Sequence, residues 1–434
     1  MLRTLKNIIP DRHPLRLYYH KLMAVIAAVR YGFPANSLHI IGVTGTKGKT
    51  TTTNLIANVL TEAGYRVGMT STTGFQVADR RWINQSKMTT LSPFFLQKLL
   101  REMVNSRCQY AVLEVSSHSL VQNRVWGINF DMAVFTNIGE DHLDYHGGFT
   151  EYLRAKGLLF ARVNQSARKP KIPKVMILNQ DDTNFAYFDQ FNADKKYTFG
   201  LKSGTCYANE IQYQQTGVKF TLNMPNNKAL INLQMPGEFS VYNAMAAATV
   251  GLANAISITV IKDALEKATT VAGRFEQIEA GQDFAVIVDY AHTAESLDKL
   301  LALYKARTPG RLIAVFGATG GGRDKGKRIK MGEAADKSAD LIILTDDDPY
   351  EEDRLSIIDQ IAEGVKREEG SNLWKIPTRF EAIRMALKLA QKGDTVVIAG
   401  KGAETVQVMA YEKKIWDDRQ VVREILAKPL SVDL

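Results

Sequence analysis

The sequence predicts an α/β protein made of two consecutive parallel-sheet domains. Three observations carry that prediction. A short apolar run at residues 40–43 ends in a glycine- and threonine-rich turn and passes directly into a stretch of helical spacing. From residue 273 onward, apolar runs at 285–288, 312–316, 341–344 and 395–398 alternate with helical stretches, each run closing in a polar or glycine loop. The chain has 434 residues, 45% of them hydrophobic and 23% charged, which suits a globular protein of two or three domains.

Composition removes several classes. Cys108 and Cys206 are far apart and in no metal-type spacing, which argues against a disulfide framework or zinc ribbon and fits a reducing cytoplasm. The formal charge of +9 suits an anionic ligand, but no Arg/Lys block is long enough to indicate nucleic acid. Residues 16–31 read as an amphipathic helix, expected to pack on the next domain, with a membrane-surface role as the minor alternative. Its apolar stretch, 22–29, is too short to span a bilayer and lacks a signal-type cleavage region. Boundaries are expected at 1–39 for an N-terminal helical segment, 40–272 for a central domain and 273–434 for a C-terminal domain.

The central domain opens on Gly45-Thr46-Lys47-Gly48-Lys49-Thr50-Thr51. After a strand and before a helix, such a turn points backbone N–H groups at a phosphate, and Lys49 adds a point charge. Thr50 would offer a hydroxyl to Mg²⁺. The strict phosphate-loop pattern wants a further glycine where Val43 stands, so this is a shortened variant. A second strand near 66–70 leads into the hydroxyl-rich loop Ser71-Thr72-Thr73-Gly74, and Ser92-Pro93 starts a helix after Thr89 and Thr90.

The strand at 110–115 is apolar except for Glu114, a carboxylate that is costly there unless paired or metal-bound. Beside a phosphate loop it is the expected Mg²⁺ partner of Thr50. Ser116-Ser117-His118, Gln122 and Arg124 follow, and a strand at 132–137 opens into Glu140-Asp141-His142-Leu143-Asp144-Tyr145-His146, which is suggestive of a second cation. Thr150 is expected to cap a helix over 151–162 that carries Lys156 on its apolar stripe with Tyr152, Leu159 and Phe160. Either its head snorkels to solvent or it is an amine held for chemistry. Residues 173–270 continue the domain with strands near 175–178, 197–199 and 218–222, then an alanine-rich helix bearing Asn243 near its start. In the second domain, loops gather after the strands: Asp289-Tyr290-Ala291-His292, Gly317 to Lys325, Thr345-Asp346-Asp347-Asp348-Pro349, and Gly400-Lys401-Gly402. Ligands of open parallel sheets sit beyond those strand ends.

Taken together, Gly45 to Thr51, Glu114-Val115-Ser116-Ser117-His118, Asp141-His142-Leu143-Asp144-Tyr145-His146, Gly273-Arg274-Phe275-Glu276, Asp289-Tyr290-Ala291-His292 and Asp324-Lys325-Gly326-Lys327-Arg328 resemble the motifs of the Mur ligases, most closely the MurE branch. The matches run in order from about residue 40 to 419. The resemblance implies a P-loop central domain, a Rossmann-like C-terminal domain and ATP-dependent amide-bond formation. In that reaction, phosphorylation of a substrate carboxylate precedes attack by an amino-acid amine. It implies Lys49, Glu114, His142, Lys156 and Arg274 as catalytic residues, and Mg²⁺ held by Thr50, Glu114, His142 and Lys156, the lysine as N6-carboxylysine. ATP would meet Gly45, Thr46, Lys47, Gly48, Lys49, Thr50, Thr51, Asn243, Arg274 and Asp289. Ser71, Thr89, Thr90, Ser116, Gln122 and Arg124 would meet the muramoyl-dipeptide precursor. Arg323, Asp347, Asp348, Pro349, Tyr350, Gly400 and Glu404 would meet the incoming amino acid. A cytoplasmic monomer without stable membrane insertion is expected.

The chain departs from the pattern in two places. Only about 40 residues precede the loop, where the family carries a uridine-diphosphate-binding domain, so the acceptor is expected to be held otherwise or to be lipid-linked. The family's Asp-Asn-Pro-Arg, whose arginine grips the distal carboxylate of meso-diaminopimelate, reads Asp347-Asp348-Pro349-Tyr350. A tyrosine cannot form that bidentate pair, and the surrounding acids would favour a cationic end, so L-lysine is expected over meso-diaminopimelate. The histidine of the family's Gly-Lys-Gly-His-Glu is Ala403 here. The rivals are a Mur-type ligase with a different carboxylate acceptor and a catalytically silent ATP-binding homologue.

Overall fold

In the computed structural model, described for residues 12–86, 88–139, 143–214, 217–321 and 325–427 (the side chains of Leu143 and Asp144 excepted), the chain divides into two compact units, Met1–Thr269 and Thr270–Leu434. The first is built on an eleven-stranded sheet. Its strands are β1 (His39–Thr44), β2 (Val67–Thr70), β3 (Gly74–Val77), β4 (Arg80–Ile83), β5 (Tyr110–Glu114), β6 (Met132–Phe135), β7 (Val175–Asn179), β8 (Lys195–Gly200), β9 (Cys206–Tyr213), β10 (Val218–Met224) and β11 (Asn227–Leu233). They lie in the order β11-β10-β9-β8-β7-β6-β1-β5-β2-β3-β4. From β9 through β2 all neighbours are parallel, and an antiparallel hairpin extends each edge.

β1 lies between β5 and β6, buried on both faces, which is why it reads as a continuous apolar run. Successive residues point to opposite sides. Ile41 and Val43 pack with Leu55, Ile56 and Val59 of the helix Lys49–Glu62, while Ile40 packs with Leu113, Phe130 and Leu159. Each such buried aliphatic side chain contributes about 1.5–3 kcal/mol. The alanine-rich helix Glu238–Ala253 is slim enough to lie close along Lys49–Glu62. The helix carrying Lys156 spans Phe149–Gln165 with Gly148 as its N-cap, so Thr150 lies inside the first turn rather than capping it.

Ahead of β1, the helix Pro14–Arg30 packs Ala24, Ala27 and Ala28 inward against the helix Pro93–Asn105. His39 at the start of β1 stacks on Tyr110 at 4.8 Å. Burial lowers its pKa from 6.5 to about 4, Asp131 opposing that and Lys169 and Lys174 adding to it. The folded state therefore keeps a neutral ring where the unfolded chain binds a proton, so stability falls as the pH drops from about 6.5 toward 4. A urea titration series is expected to show a loss on the order of 2 kcal/mol across that window, flattened in His39→Asn. An unchanged slope in the variant would remove His39 as its source.

The second unit has β12 (Glu276–Gln277), β13 (Ala285–Asp289), β14 (Leu312–Phe316), β15 (Leu341–Leu344), β16 (Leu373–Lys375) and β17 (Thr395–Ala399) in the order β12-β13-β17-β14-β15-β16. All pairs are parallel except β12–β13. Apolar clusters cover both faces, one around Leu301, Phe316 and Ile358, the other around Val315, Ile383 and Val422. A small hairpin, β18 (Val406–Val408) with β19 (Lys413–Ile415), follows β17.

Candidate active site

In the first unit the functional side chains converge beyond the carboxyl ends of β1, β5 and β6. The turn after β1 is closed around its neighbours. A Cβ at Gly45 would lie 1.9 Å from Thr136 Oγ1, and one at Gly48 (φ 80°) would lie 2.2 Å from Asn243 Oδ1. Only glycine fits at either position. Thr136 and Asn137, following β6, brace the loop from the far side. Thr136 Oγ1 donates to Lys47 O at 2.7 Å, the Lys47 amide donates to Asn137 Oδ1 at 2.9 Å, and the Thr46 amide donates to Asn137 O at 2.8 Å. Asn243 also accepts from Thr52 Oγ1 at 3.1 Å, so the helix Glu238–Ala253 is tied to the helix that the loop starts, where Thr51 completes the first turn.

Lys49 folds back over the loop, its ammonium donating to the Gly45 and Thr46 carbonyls at 3.0 and 2.8 Å. Thr50 Oγ1 lies 3.1 Å from both oxygens of Glu114, which is 1% exposed. The carboxylate also accepts from the Thr72 amide at 2.7 Å and the Thr72 hydroxyl at 3.0 Å. Hydroxyls and one amide thus make Glu114 tolerable inside the sheet. Hydroxyl and carboxylate oxygens at this spacing are the hard donors that Mg²⁺ takes.

Lys156 is 1% exposed and does not snorkel. Its head donates to Gly45 O at 2.6 Å and lies 4.4 Å from the Tyr152 ring centre, and Tyr152 reaches Thr46 Oγ1 at 3.1 Å. The amine on the apolar stripe therefore points at the phosphate loop.

Beside this lies a polar ledge. Thr89 accepts from Thr72, Thr90 links Glu114 O to the Ser116 amide, and Arg124 donates to Gln122 Oε1 at 2.7 Å and Thr90 O at 3.2 Å. Gln122 Nε2 reaches Tyr145 OH at 3.0 Å, and Ser71 bonds Thr73 and Gly74 within its own turn. His146, buried, meets Ser117 Oγ at 3.0 Å. His142 and Arg323 lie outside the described residues.

In the second unit, the Arg274 guanidinium lies 4.4 Å from the Tyr290 ring centre. Asp289, at the end of β13, accepts from the Phe275 and Ala291 amides at 2.8 Å each. Burial raises its pKa, against Arg274 and those two amides. Gly400 donates to Asp289 O, and Tyr350, just after Pro349, places its ring against Gly321.

The acidic run, the second ground of the lysine expectation beside Tyr350, is largely paired within the protein. Lys401, fully buried, sits between Asp348 (2.9 Å), Glu404 (3.0 Å) and Asp347 (3.6 Å). Burial alone would lower its pKa, but Asp347, Glu404 and Asp348 outweigh that and raise it. Asp346 is paired with Arg354, Glu352 with Arg328 and Lys325, and Asp353 caps the helix Arg354–Ala362. The three acids Asp347, Asp348 and Glu404 are close enough to hold a metal ion, but the Lys401 ammonium already fills that role. Among the described residues no helix is long and apolar enough to cross a membrane.

Residues 43–251 match the Mur ligase middle domain and 273–402 the Mur ligase glutamate ligase domain. The UDP-N-acetylmuramoyl-L-alanyl-D-glutamate–2,6-diaminopimelate ligase of Geobacillus thermodenitrificans is 41% identical over 93% of this chain and 82% of its own. A solved structure of a ligase of that name superposes with a TM-score of 0.62 and 33% identity over 90% of this chain and 78% of that one. Mycobacterium tuberculosis folylpolyglutamate synthase, at 18% identity over 88% of this chain and 92% of that one, shares the fold with a TM-score of 0.70. The chain belongs to the Mur ligase family, in its MurE branch, whose members are ATP-dependent, ADP-forming amide ligases.

Proposed function

We propose that the protein joins a diamino acid to a muramoyl-L-alanyl-D-glutamate acceptor, using ATP to activate the acceptor carboxylate as an acyl phosphate. The observation that carries this reading is the meeting of Thr50, Glu114 and Lys156 at one phosphate loop. The loop amides hold the phosphates and Lys49 adds charge to the transferring phosphoryl group. Thr50 and Glu114 would hold Mg²⁺, with His142 as the further ligand the resemblance implies, and the ion would supply charge neutralisation. Lys156, once its ammonium has given up a proton, would add carbon dioxide through the neutral amine and lose a second proton, and the resulting N6-carboxylysine would be an anion in place of a buried cation. Asn243 borders the nucleoside, while Ser71, Thr89, Thr90, Ser116, Gln122 and Arg124 form the acceptor ledge. The amine then attacks the acyl phosphate, forming the amide bond and releasing phosphate.

For the incoming amino acid, the names of the relatives favour 2,6-diaminopimelate over the L-lysine expectation, whose electrostatic ground Lys401 weakens by pairing with Asp347 and Asp348. Tyr350 keeps L-lysine as a second reading, because it lacks the forked donor that a distal carboxylate takes. Arg323, Gly400 and Glu404 are the further amino-acid contacts that the resemblance assigns. The protein with ATP, Mg²⁺ and the UDP-linked dipeptide is expected to release phosphate about tenfold faster with diaminopimelate than with L-lysine. The reverse ranking would restore the Tyr350 reading. Turnover only with a lipid-linked acceptor would replace the nucleotide-linked one.

A further inference from the structure

The helix Pro14–Arg30 is inverted relative to an ordinary surface helix. Its small residues Ala24, Ala27 and Ala28 face inward, while Leu15, Tyr18, Leu22, Ile26 and Val29 are 66%, 68%, 44%, 45% and 62% exposed. With Tyr19, at about 100° per residue, these side chains fall in one arc of about 100° opposite the alanines. They form a stripe about 25 Å long, the full helix. Single exposed apolar residues are ordinary, but a continuous stripe of six marks a surface that binds something.

The charge around the stripe indicates what. No Asp or Glu occurs from Arg12 to Thr61, and Arg16, Lys21 and Arg30 flank the apolar arc on both sides. Two copies meeting along this face would bring their basic flanks together without a carboxylate from either helix to offset them. An anionic bilayer surface accepts both parts, the apolar residues below the headgroups and the basic flanks among the phosphates. Adjacent Tyr18 and Tyr19 suit the headgroup level, where an aromatic body and a polar tip are both accommodated. We infer that Pro14–Arg30 is a peripheral membrane-docking helix that lies in the plane of an anionic lipid surface without crossing it. The inference does not depend on the reaction assigned above.

The full chain is expected to co-sediment with phosphatidylcholine vesicles containing about a third phosphatidylglycerol and to bind pure phosphatidylcholine vesicles about tenfold more weakly. The double substitution Leu22→Ser/Ile26→Ser should weaken binding about tenfold, and Lys21→Glu/Arg30→Glu at least as much at low salt. The four positions are exposed, so the thermal midpoint serves as the folding control for either pair. Absence of binding to the anionic vesicles, or equal binding to both, would overturn the inference. So would a dimer in solution that Leu22→Ser/Ile26→Ser returns to monomer, because the stripe would then be a contact between copies.

Discussion

Lys156→Ala is expected to lower ATP-dependent ligation by about 10²–10³-fold, the loss that follows removal of one preorganised electrostatic group from a dry site. The head of Lys156 is one hydrogen bond from the phosphate loop, so the deficit should appear in kcat, with ATP affinity changed little. Lys156→Met preserves most of the packing with Tyr152 and should be as inactive. Stripping carbon dioxide from the buffer should slow the wild-type protein, and bicarbonate should restore it. Either substituted protein lacks the amine and should ignore both treatments. If Lys156→Met lowered the thermal midpoint yet kept near-normal turnover, Lys156 would be a prop for the loop and the carboxylysine proposal would fall.

Lys401→Met should destabilise the second unit by about 3–5 kcal/mol, because it strands three carboxylates around a buried position. In a thermal melt this corresponds to a drop of roughly 10 °C. The sign of its pH dependence is distinctive. With the ammonium gone, Asp347, Asp348 and Glu404 repel one another when ionised, so acid conditions relieve the strain and the deficit should shrink as the pH falls. A deficit that is small, or constant with pH, would mean that the lysine stem rather than its charge holds the cluster.

The phosphate loop was legible because its signals are local. An apolar strand, two glycines and a helix start lie within about a dozen positions, and no distant partner is needed to recognise them. The parallel strands were legible for the same reason, since burial on both faces removes polar residues from β1, β7 and β14. The hairpin of β3 and β4 was missed: its strands are four residues each, and its turn uses Ala78 at φ 52° where a glycine would have signalled it. Thr136 and Asn137 were read only as the end of a strand, because their partner Lys47 is about 90 positions away. The acidic loop was misjudged for a similar reason. Six acids in eight residues look like an open negative surface until Lys401, 53 positions from Asp348, is placed among them. Local sequence carries the shape of an element, whereas the charge state of a pocket depends on residues that only the fold brings together.

The seat of Gly48 against Asn243 also bears on how the protein is made. Thr52 and Asn243 are joined across 191 positions, so the loop's final geometry waits for a helix that is synthesised near the end of the first unit. Strand β1 and the helix Lys49–Glu62 can form early, but long-range closure comes late in folding. A nascent chain ending before Glu238 therefore carries the nucleotide-binding sequence without the wall that shapes it. The braced form of the loop therefore arrives with the docking of this helix.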